Sequence, residues 1–301
     1  MALSIQSLIV LTGPTGVGKT ALTLDIAQHY GIEIINADSR QIYKELQIGT
    51  AAPTKAQLER VKHHFVASKN VNDYYSASLY EQDVLELLKA NPSSTYILSG
   101  GSMMYVDAVC YGIDEIPTID NKVRQDLMKM YETEGLNKLC DLLKDLDPAH
   151  WDIVDKQNPR RVLHALEVCV QTGKTYTSFR TKQRKERPFN IIKIGLNCPR
   201  EDLYNQINAR VENMVASGLI DETLRMYNHR NLNALNTVGY KEMFEYLDGL
   251  TTLDEAIFKI QSNTRQYARK QLTWFRKDKD IHWFHPNEIR KIIRHIDSYL
   301  A

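Results

Sequence analysis

Residues Gly13-Pro14-Thr15-Gly16-Val17-Gly18-Lys19-Thr20 match the pattern G-x-x-x-x-G-K-[ST] at every fixed position, and no other stretch constrains the fold as strongly. The apolar run Leu8-Ile9-Val10-Leu11 leads into it, and Ala21-Leu22-Thr23-Leu24-Asp25-Ile26-Ala27, patterned as a helix, follows it. A loop of this kind requires a strand before and a helix after, so a chance glycine-rich turn is the weaker reading. The glycines let consecutive backbone N–H groups point at one anion, the helix N-terminus adds partial positive charge, and Lys19 adds a point charge. The Thr20 hydroxyl is placed to ligate Mg²⁺. A di- or triphosphate is the implied ligand. The loop alone leaves open which one, and what becomes of it.

After a C-cap at Gly31, Glu33-Ile34-Ile35-Asn36 reads as a second strand that runs into Ala37-Asp38-Ser39-Arg40-Gln41. Ligands of open α/β sheets lie beyond the carboxyl ends of the strands, which puts Asp38 beside the phosphate loop. There it can act as a general base or assist magnesium; its other reading is an N-cap for the turn that follows. Thr95-Tyr96-Ile97-Leu98-Ser99 is a third strand, entering a second glycine turn at Gly100-Gly101-Ser102. It ends without the carboxylate that ATP hydrolases generally need. The neighbouring His63 and His64 have no third ligand at metal-site spacing and read as loop or strand.

A 43% apolar and 25% charged chain of 301 residues is an ordinary globular composition. Cys110, Cys140, Cys169 and Cys198 are widely spaced, form no C-x-x-C pair, and read as reduced thiols. With no apolar stretch of membrane-spanning length and no signal sequence, a cytoplasmic protein is expected, by default a monomer. The net charge of +1 hides an uneven distribution. Residues 107–155 hold twelve acids against five Lys/Arg, whereas 156–187 hold nine Lys/Arg against two acids. Residues 262–279 repeat the basic bias. Two such segments suggest a basic face for a polyanion, with solvated helix faces as the alternative.

Between residues 116 and 188 the pattern is almost wholly helical, over Asn121 to Tyr131, Leu136 to Leu143 and Pro159 to Val170. Strand pattern returns at Phe189 to Leu196, and Leu203 to Val215 is an amphipathic helix carrying Arg210. The expected fold is α/β: a P-loop NTPase-like parallel sheet flanked by helices, formed by 1–115 and 189–301, with an all-helical insertion at 116–188. Ile260, Tyr267 and Trp274 recur every seven residues near the C-terminus and read as a core stripe. Arg265, Arg269 and Lys270 beside it could grip nucleic-acid phosphates.

Taken together, these segments resemble the bacterial tRNA dimethylallyltransferases over nearly the whole chain. The resemblance rests on residues 13–20, Asp38-Ser39-Arg40-Gln41-Ile42-Tyr43 with Ile48-Gly49-Thr50-Ala51, Gly100-Gly101-Ser102-Met103-Met104-Tyr105, and Asn158-Pro159-Arg160-Arg161 with Ala165-Leu166-Glu167-Val168. Gly173-Lys174-Thr175, Val238-Gly239-Tyr240, Thr264-Arg265-Gln266, Arg269-Lys270-Gln271 and Trp274 complete it. It implies transfer of a dimethylallyl group from dimethylallyl diphosphate to the exocyclic amine of the adenosine just 3′ of the anticodon, with Mg²⁺. By motif match, Thr15 to Thr20 surround the donor and Asp38 is the base. Arg210 sits near the diphosphate, and Asp38 to Gln41 with Ser102 touch the target nucleotide. Arg124 and Arg160-Arg161-Val162-Leu163-His164 match tRNA-contacting positions, although His164 replaces a basic residue and Ser102 a threonine. The insertion and the basic C-terminal helix are then expected to clamp the anticodon stem-loop.

Three other functions suit parts of the sequence. A small-molecule P-loop kinase explains the loop and sheet but gives the basic segments no purpose. An adenylate prenyltransferase has no need of a stem-loop clamp, and a nucleotide-dependent RNA-binding switch has no use for Asp38 and Arg210.

Overall fold

The computed structural model describes residues 6–181 and 183–300. The chain forms two compact units, one from residues up to Tyr111 and from Glu186 onward, the other from Gly112–Lys185. Both junctions fall a few residues before the 115/116 and 188/189 boundaries read from the sequence.

The first unit is built on six parallel strands: β1 (Ser7–Thr12), β2 (Glu33–Asn36), β3 (His63–His64), β4 (Tyr96–Ser99), β5 (Asn190–Leu196) and β6 (His282–Phe284). Their spatial order is β3-β2-β4-β1-β5-β6, so the phosphate-loop strand lies in the middle, between β4 and β5. The chain winds to one side of β1 through β4 and to the other from β5, which opens a crevice at the carboxyl end of β1. β1 is buried on both faces, as its unbroken apolar run requires. Ile9 and Leu11 face a cluster with Leu24, Ile26, Ile207, Ile292 and Ile296; Leu8 and Val10 face another with Tyr80, Val84, Leu88 and Val109.

The helices that cover the sheet begin with α1 (Lys19–Tyr30), α2 (Lys55–Arg60), α3 (Ala77–Ala90) and α4 (Met103–Tyr111). Ser76 caps α3 through its side chain, and Gly31 ends α1 in the left-handed region, the latter as the sequence indicates. In the second unit follow α5 (Asn121–Leu146), α6 (Pro148–Ile153), α7 (Pro159–Thr172) and α8 (Tyr176–Phe179). Gly135, at φ 80°, breaks α5 at the point where the periodicity changes between residues 131 and 136. Leu127, Leu139, Leu143, Val162, Ala165 and Leu166 form this unit's core. The fully buried Asp147 caps α6 at the His150 N–H and accepts from the Thr177 N–H and hydroxyl, tying α8 to it.

The first unit is completed by α9 (Arg200–Ala216), α10 (Leu219–Arg225), α11 (Tyr240–Leu247), α12 (Leu253–Phe275) and α13 (Ile289–Leu300). Two short elements, β3 and β6, extend the sheet at its edges. The histidines of β3 are strand residues: His63 pairs with Ile34 and His64 with Ile35, and His64 Nε2 lies 2.7 Å from Glu33 Oε2. Among the described residues no helix is long and apolar enough to cross a membrane, and no group of three or more His, Cys, Asp or Glu could hold a metal.

Candidate active site

The phosphate loop closes onto α1 through Gly18 at φ 93°, a left-handed conformation that only glycine adopts without strain. Gly16 is glycine for a second reason: a Cβ there would stand 2.8 Å from the Ile207 Cγ1 of α9. Lys19 Nζ donates to the loop's own carbonyls, Gly13 O at 2.9 Å and Pro14 O at 2.8 Å. Burial, and then the Arg210 guanidinium, push its amine down to about 7, while Asp38 acts in the opposite direction. A cavity of about 400 Å³ opens here, lined by Thr15, Gly16, Gly18, Lys19 and Thr20. Gly13, Pro14 and Val17 do not line it. Pro14 has no N–H for a phosphate, and the Val17 side chain belongs to the apolar core.

One buried side chain registers the two glycine turns. Gln271 of α12, 1% exposed, accepts the Thr15 N–H at 2.8 Å and donates to Gly101 O at 2.8 Å. The second turn itself presses on the end of β2, since a Cβ on Gly100 would lie 2.2 Å from Ala37 O. Ser102 Oγ accepts the Ser39 N–H at 2.8 Å and donates to Ser39 Oγ at 3.0 Å, so this hydroxyl shapes the Asp38 loop. Asp38 fills the capping role read from the sequence. Its Oδ1 accepts the N–H groups of Arg40 at 2.9 Å and Gln41 at 3.3 Å, while Oδ2 takes part in neither bond.

Arg210 comes in from α9 and donates to Thr50 O at 3.0 Å; Gln41 Nε2 donates to the same carbonyl at 3.2 Å. The loop that carries Thr50 is held by Glu222 of α10, 2% exposed. Its carboxylate accepts N–H groups from Gln47 (2.9 Å), Ile48 (2.8 Å) and Gly49 (2.8 Å) and the Tyr240 hydroxyl (2.6 Å). Sequence reasoning singled out neither Glu222 nor the spatial role of Gln271. The one available signal for Gln271 is a polar residue on the helix face that also carries Ala268 and Phe275.

A second cavity, about 480 Å³, adjoins the first. Ser39, Arg40, Ser102, Thr237, Gln266 and Lys270 are among its walls, and Thr15, Asp38, Arg210 and Tyr267 line both cavities. Tyr267 and Trp274 therefore depart from the expected core stripe: they are 37% and 38% exposed. The face that α12 buries is Ala256, Ile260, Ala268, Gln271 and Phe275: Ala256 and Ile260 pack with Val211 of α9 and Met243 of α11, Ala268 joins the cluster of Ile207, Phe275 joins that of Leu8 and Val10, and Gln271 bonds the phosphate loop. The basic residues also separate. Lys270 lines the second cavity, whereas Arg265 donates to Asn208 Oδ1 at 2.7 Å and Arg269 to the Tyr204 hydroxyl at 3.1 Å, both on α9.

At the end of β4, the strand beside β1, stands Ser99, whose hydroxyl lies 2.7 Å from that of Thr23. Neutral oxygens thus occupy the position of the hydrolase carboxylate. Together with the exposed Thr20 hydroxyl and Asp38 they form an all-oxygen donor set, which fits a Mg²⁺ that takes its remaining ligands from substrate phosphates and water.

In the helical unit, Arg160, Arg161 and His164 are exposed along α7, and Arg124 Nε is 3.1 Å from Glu167 Oε1. His164 Nδ1 is 3.8 Å from the same carboxyl group. Leu163 is half-buried. Val162, matched by motif to a tRNA-contacting position, is fully buried in this unit's core, so its side chain offers no surface to a ligand.

The sequence model of the IPP transferase family matches residues 41–278. The chain is 59% identical over 296 residues to tRNA dimethylallyltransferase 1 of Phocaeicola vulgatus, covering 97% of this chain and 98% of that protein. It is 55% identical over 298 residues to tRNA dimethylallyltransferase 1 of Bacteroides fragilis, covering 98% and 99%. Among solved structures, the full-length tRNA isopentenylpyrophosphate transferase of Bacillus halodurans superposes with a TM-score of 0.71 at 34% identity, covering 98% of this chain and 97% of that one. A parallel sheet carrying a phosphate loop, an aspartate-bearing turn beside it and relatives this close in sequence lead to one assignment: the chain belongs to the IPP transferase family, the tRNA prenyltransferases.

Proposed function

We propose that this prenyltransferase moves a dimethylallyl group from dimethylallyl diphosphate to N6 of the adenosine 3′ of the anticodon of tRNA (position 37), releasing pyrophosphate. The observation that carries this reading is the meeting of two cavities at Thr15, Asp38 and Arg210. One has the phosphate loop for a diphosphate; the other opens on the far side of Asp38 with room for a nucleobase. An adenine amine is a weak nucleophile because its lone pair is delocalised into the ring, so a base at the junction is needed where N6 attacks C1.

In this division of labour Lys19, Arg210 and the loop N–H groups of residues 15–20 hold the diphosphate and stabilise the charge that gathers on it. Asp38 receives the N6 proton through the carboxylate oxygen not committed to the Arg40 and Gln41 N–H groups. Thr20, with the hydroxyls at the end of β4, would hold Mg²⁺, which supplies further charge neutralisation to the leaving group. Ser39, Arg40, Gln41 and Ser102 border the acceptor base. Lys270 in the first unit and Arg160, Arg161 and His164 in the second bind tRNA backbone. Extrusion of the base costs a few kcal/mol and is least costly in a single-stranded loop. The protein is proposed to act as a cytoplasmic monomer.

The test is an incubation of protein and Mg²⁺ with labelled dimethylallyl diphosphate and unmodified tRNA, with parallel tubes containing AMP or ATP. Label confined to tRNA, and after digestion to the adenosine 3′ of the anticodon, is the expected result. Label in the free nucleotides would move the protein to adenylate prenylation; label in none would return the kinase and switch readings.

A further inference from the structure

Four side chains line both cavities, and three of them, Thr15, Asp38 and Arg210, already have a part in the transfer. The fourth is Tyr267. Among the described residues it is the only aromatic one lining the larger cavity, and its position at the junction is where donor carbon and acceptor nitrogen must meet. The ring is held at both ends: α12 fixes its Cα, and its hydroxyl donates to Gly101 O at 3.4 Å. Gln271, one turn further along α12, donates to the same carbonyl and accepts the Thr15 N–H, so the ring is registered against the phosphate loop. Burial, reinforced by Asp38, pushes the phenol up to about 12, which keeps it neutral at physiological pH.

The chemistry at this junction has an unmet requirement. As the C1–O bond of the donor breaks, its electron pair leaves with the diphosphate. The allylic fragment then carries positive charge shared between C1 and the dimethyl-substituted carbon until the N6 lone pair forms the new C1–N bond. The N6 proton passes to Asp38, and atoms and charge balance. Lys19 and Arg210 stabilise the departing anion but repel the cationic fragment. A lone-pair donor pressed against that fragment could capture it. An aromatic face offers negative electrostatic potential with no nucleophilic lone pair.

We propose that Tyr267 is a catalytic residue of the transfer, its ring face stabilising the developing dimethylallyl cation between the phosphate loop and Asp38. This rests on the function proposed above. The corresponding experiment measures single-turnover prenylation of tRNA by the full chain with Tyr267 replaced by Phe, Leu, and phenylalanines bearing one, two and three fluorines. Fluorination withdraws electron density from the ring with little change in size.

Tyr267→Phe should lower the single-turnover rate by about threefold or less, and Tyr267→Leu by about 10–30-fold, the scale of a desolvated cation–π contact. The fluorinated rings should fall between, in order of fluorine count, with donor KM and tRNA Kd within about twofold of wild type. Rates indifferent to fluorination would overturn the proposal. So would a Leu variant that loses tRNA affinity at an unchanged single-turnover rate, which would make the ring a stacking surface for the base. Failure of the wild-type chain to prenylate tRNA would remove the transferase reading, and this one with it.

Discussion

Replacing Glu222 by Gln keeps the shape of the side chain while removing acceptor capacity where the structure uses all of it. In the native chain one oxygen accepts from Gln47 and Ile48, the other from Gly49 and the Tyr240 hydroxyl. An amide can keep only one of these pairs. The less costly orientation turns its NH₂ toward Tyr240, whose hydroxyl can rotate to accept; the Gly49 N–H then faces another donor. A buried orphan donor costs about 1–3 kcal/mol, and the two bonds that persist lose their charge assistance at about 1 kcal/mol each. The sum, about 3–5 kcal/mol, corresponds to a fall in melting temperature of about 6–20 °C for a unit of this size. Because Thr50 O anchors Arg210, donor KM should rise as well, with tRNA affinity unchanged. Thermal unfolding followed by circular dichroism, together with donor KM, reads both effects. Adding Tyr240→Phe to the Gln variant should cost more than in the native background, since the hydroxyl has become the acceptor the amide depends on. A melting temperature within 1–2 °C of wild type, or additive substitutions, would refute the reasoning.

Other expectations follow from the site. Asp38→Asn can keep the Oδ1 cap on Arg40 and Gln41 while losing the base, so turnover should fall about 10²–10⁴-fold with tRNA affinity retained, and unchanged turnover of the bound complex would remove that role. With the Lys19 amine at about 7 in the free protein and favoured as ammonium beside a bound diphosphate, donor binding takes up a proton above that pH. Donor KM should therefore be flat below pH 7 and rise by up to about tenfold per unit above it, and Lys19→Met should abolish the slope; a flat wild-type profile would count against the burial argument. Lys270→Ala or Arg161→Ala should weaken tRNA binding and reduce the magnitude of its salt slope by about one, as measured by filter binding across a salt series. Equal slopes in variant and wild type would take these side chains off the phosphate backbone.

Much of the site is local in the chain and could be read there. Residues 13–20 define their own conformation, since glycine at the left-handed positions and an apolar strand before them suffice to build an anion cradle. Asp38 follows its strand by two residues, and the geometry of open sheets places it without knowledge of any partner. β1, β2, β4 and β5 announce themselves by their apolar residues because both faces of the sheet are covered; Lys193 of β5 is buried among them with its ammonium paired to Asp278. β6, only three residues long, carries no such signal; it is a strand because β5 presents an open edge beside it.

What sequence could not resolve is which face of α12 turns inward. Its seven-residue repeat of Ile260, Tyr267 and Trp274 looks like a core stripe, but an α-helix drifts by about 20° per heptad. The packing of α9, α11, the sheet and the phosphate loop then selects Ile260, Ala268, Gln271 and Phe275. That rotation sends Tyr267 to the junction of the two cavities, Lys270 to the acceptor side, and Arg265 and Arg269 against α9. Glu222 and Gln271 belong to the same class: each bonds groups more than 150 residues away, and no short-range pattern records a partner at that distance. The sequence by itself determined the phosphate cradle and the place of Asp38 beside it, because backbone conformation and strand burial depend on neighbours along the chain. Only the tertiary structure decided what surrounds this cradle and the carboxylate beside it, because the orientation of a helix is settled by the surfaces it packs against.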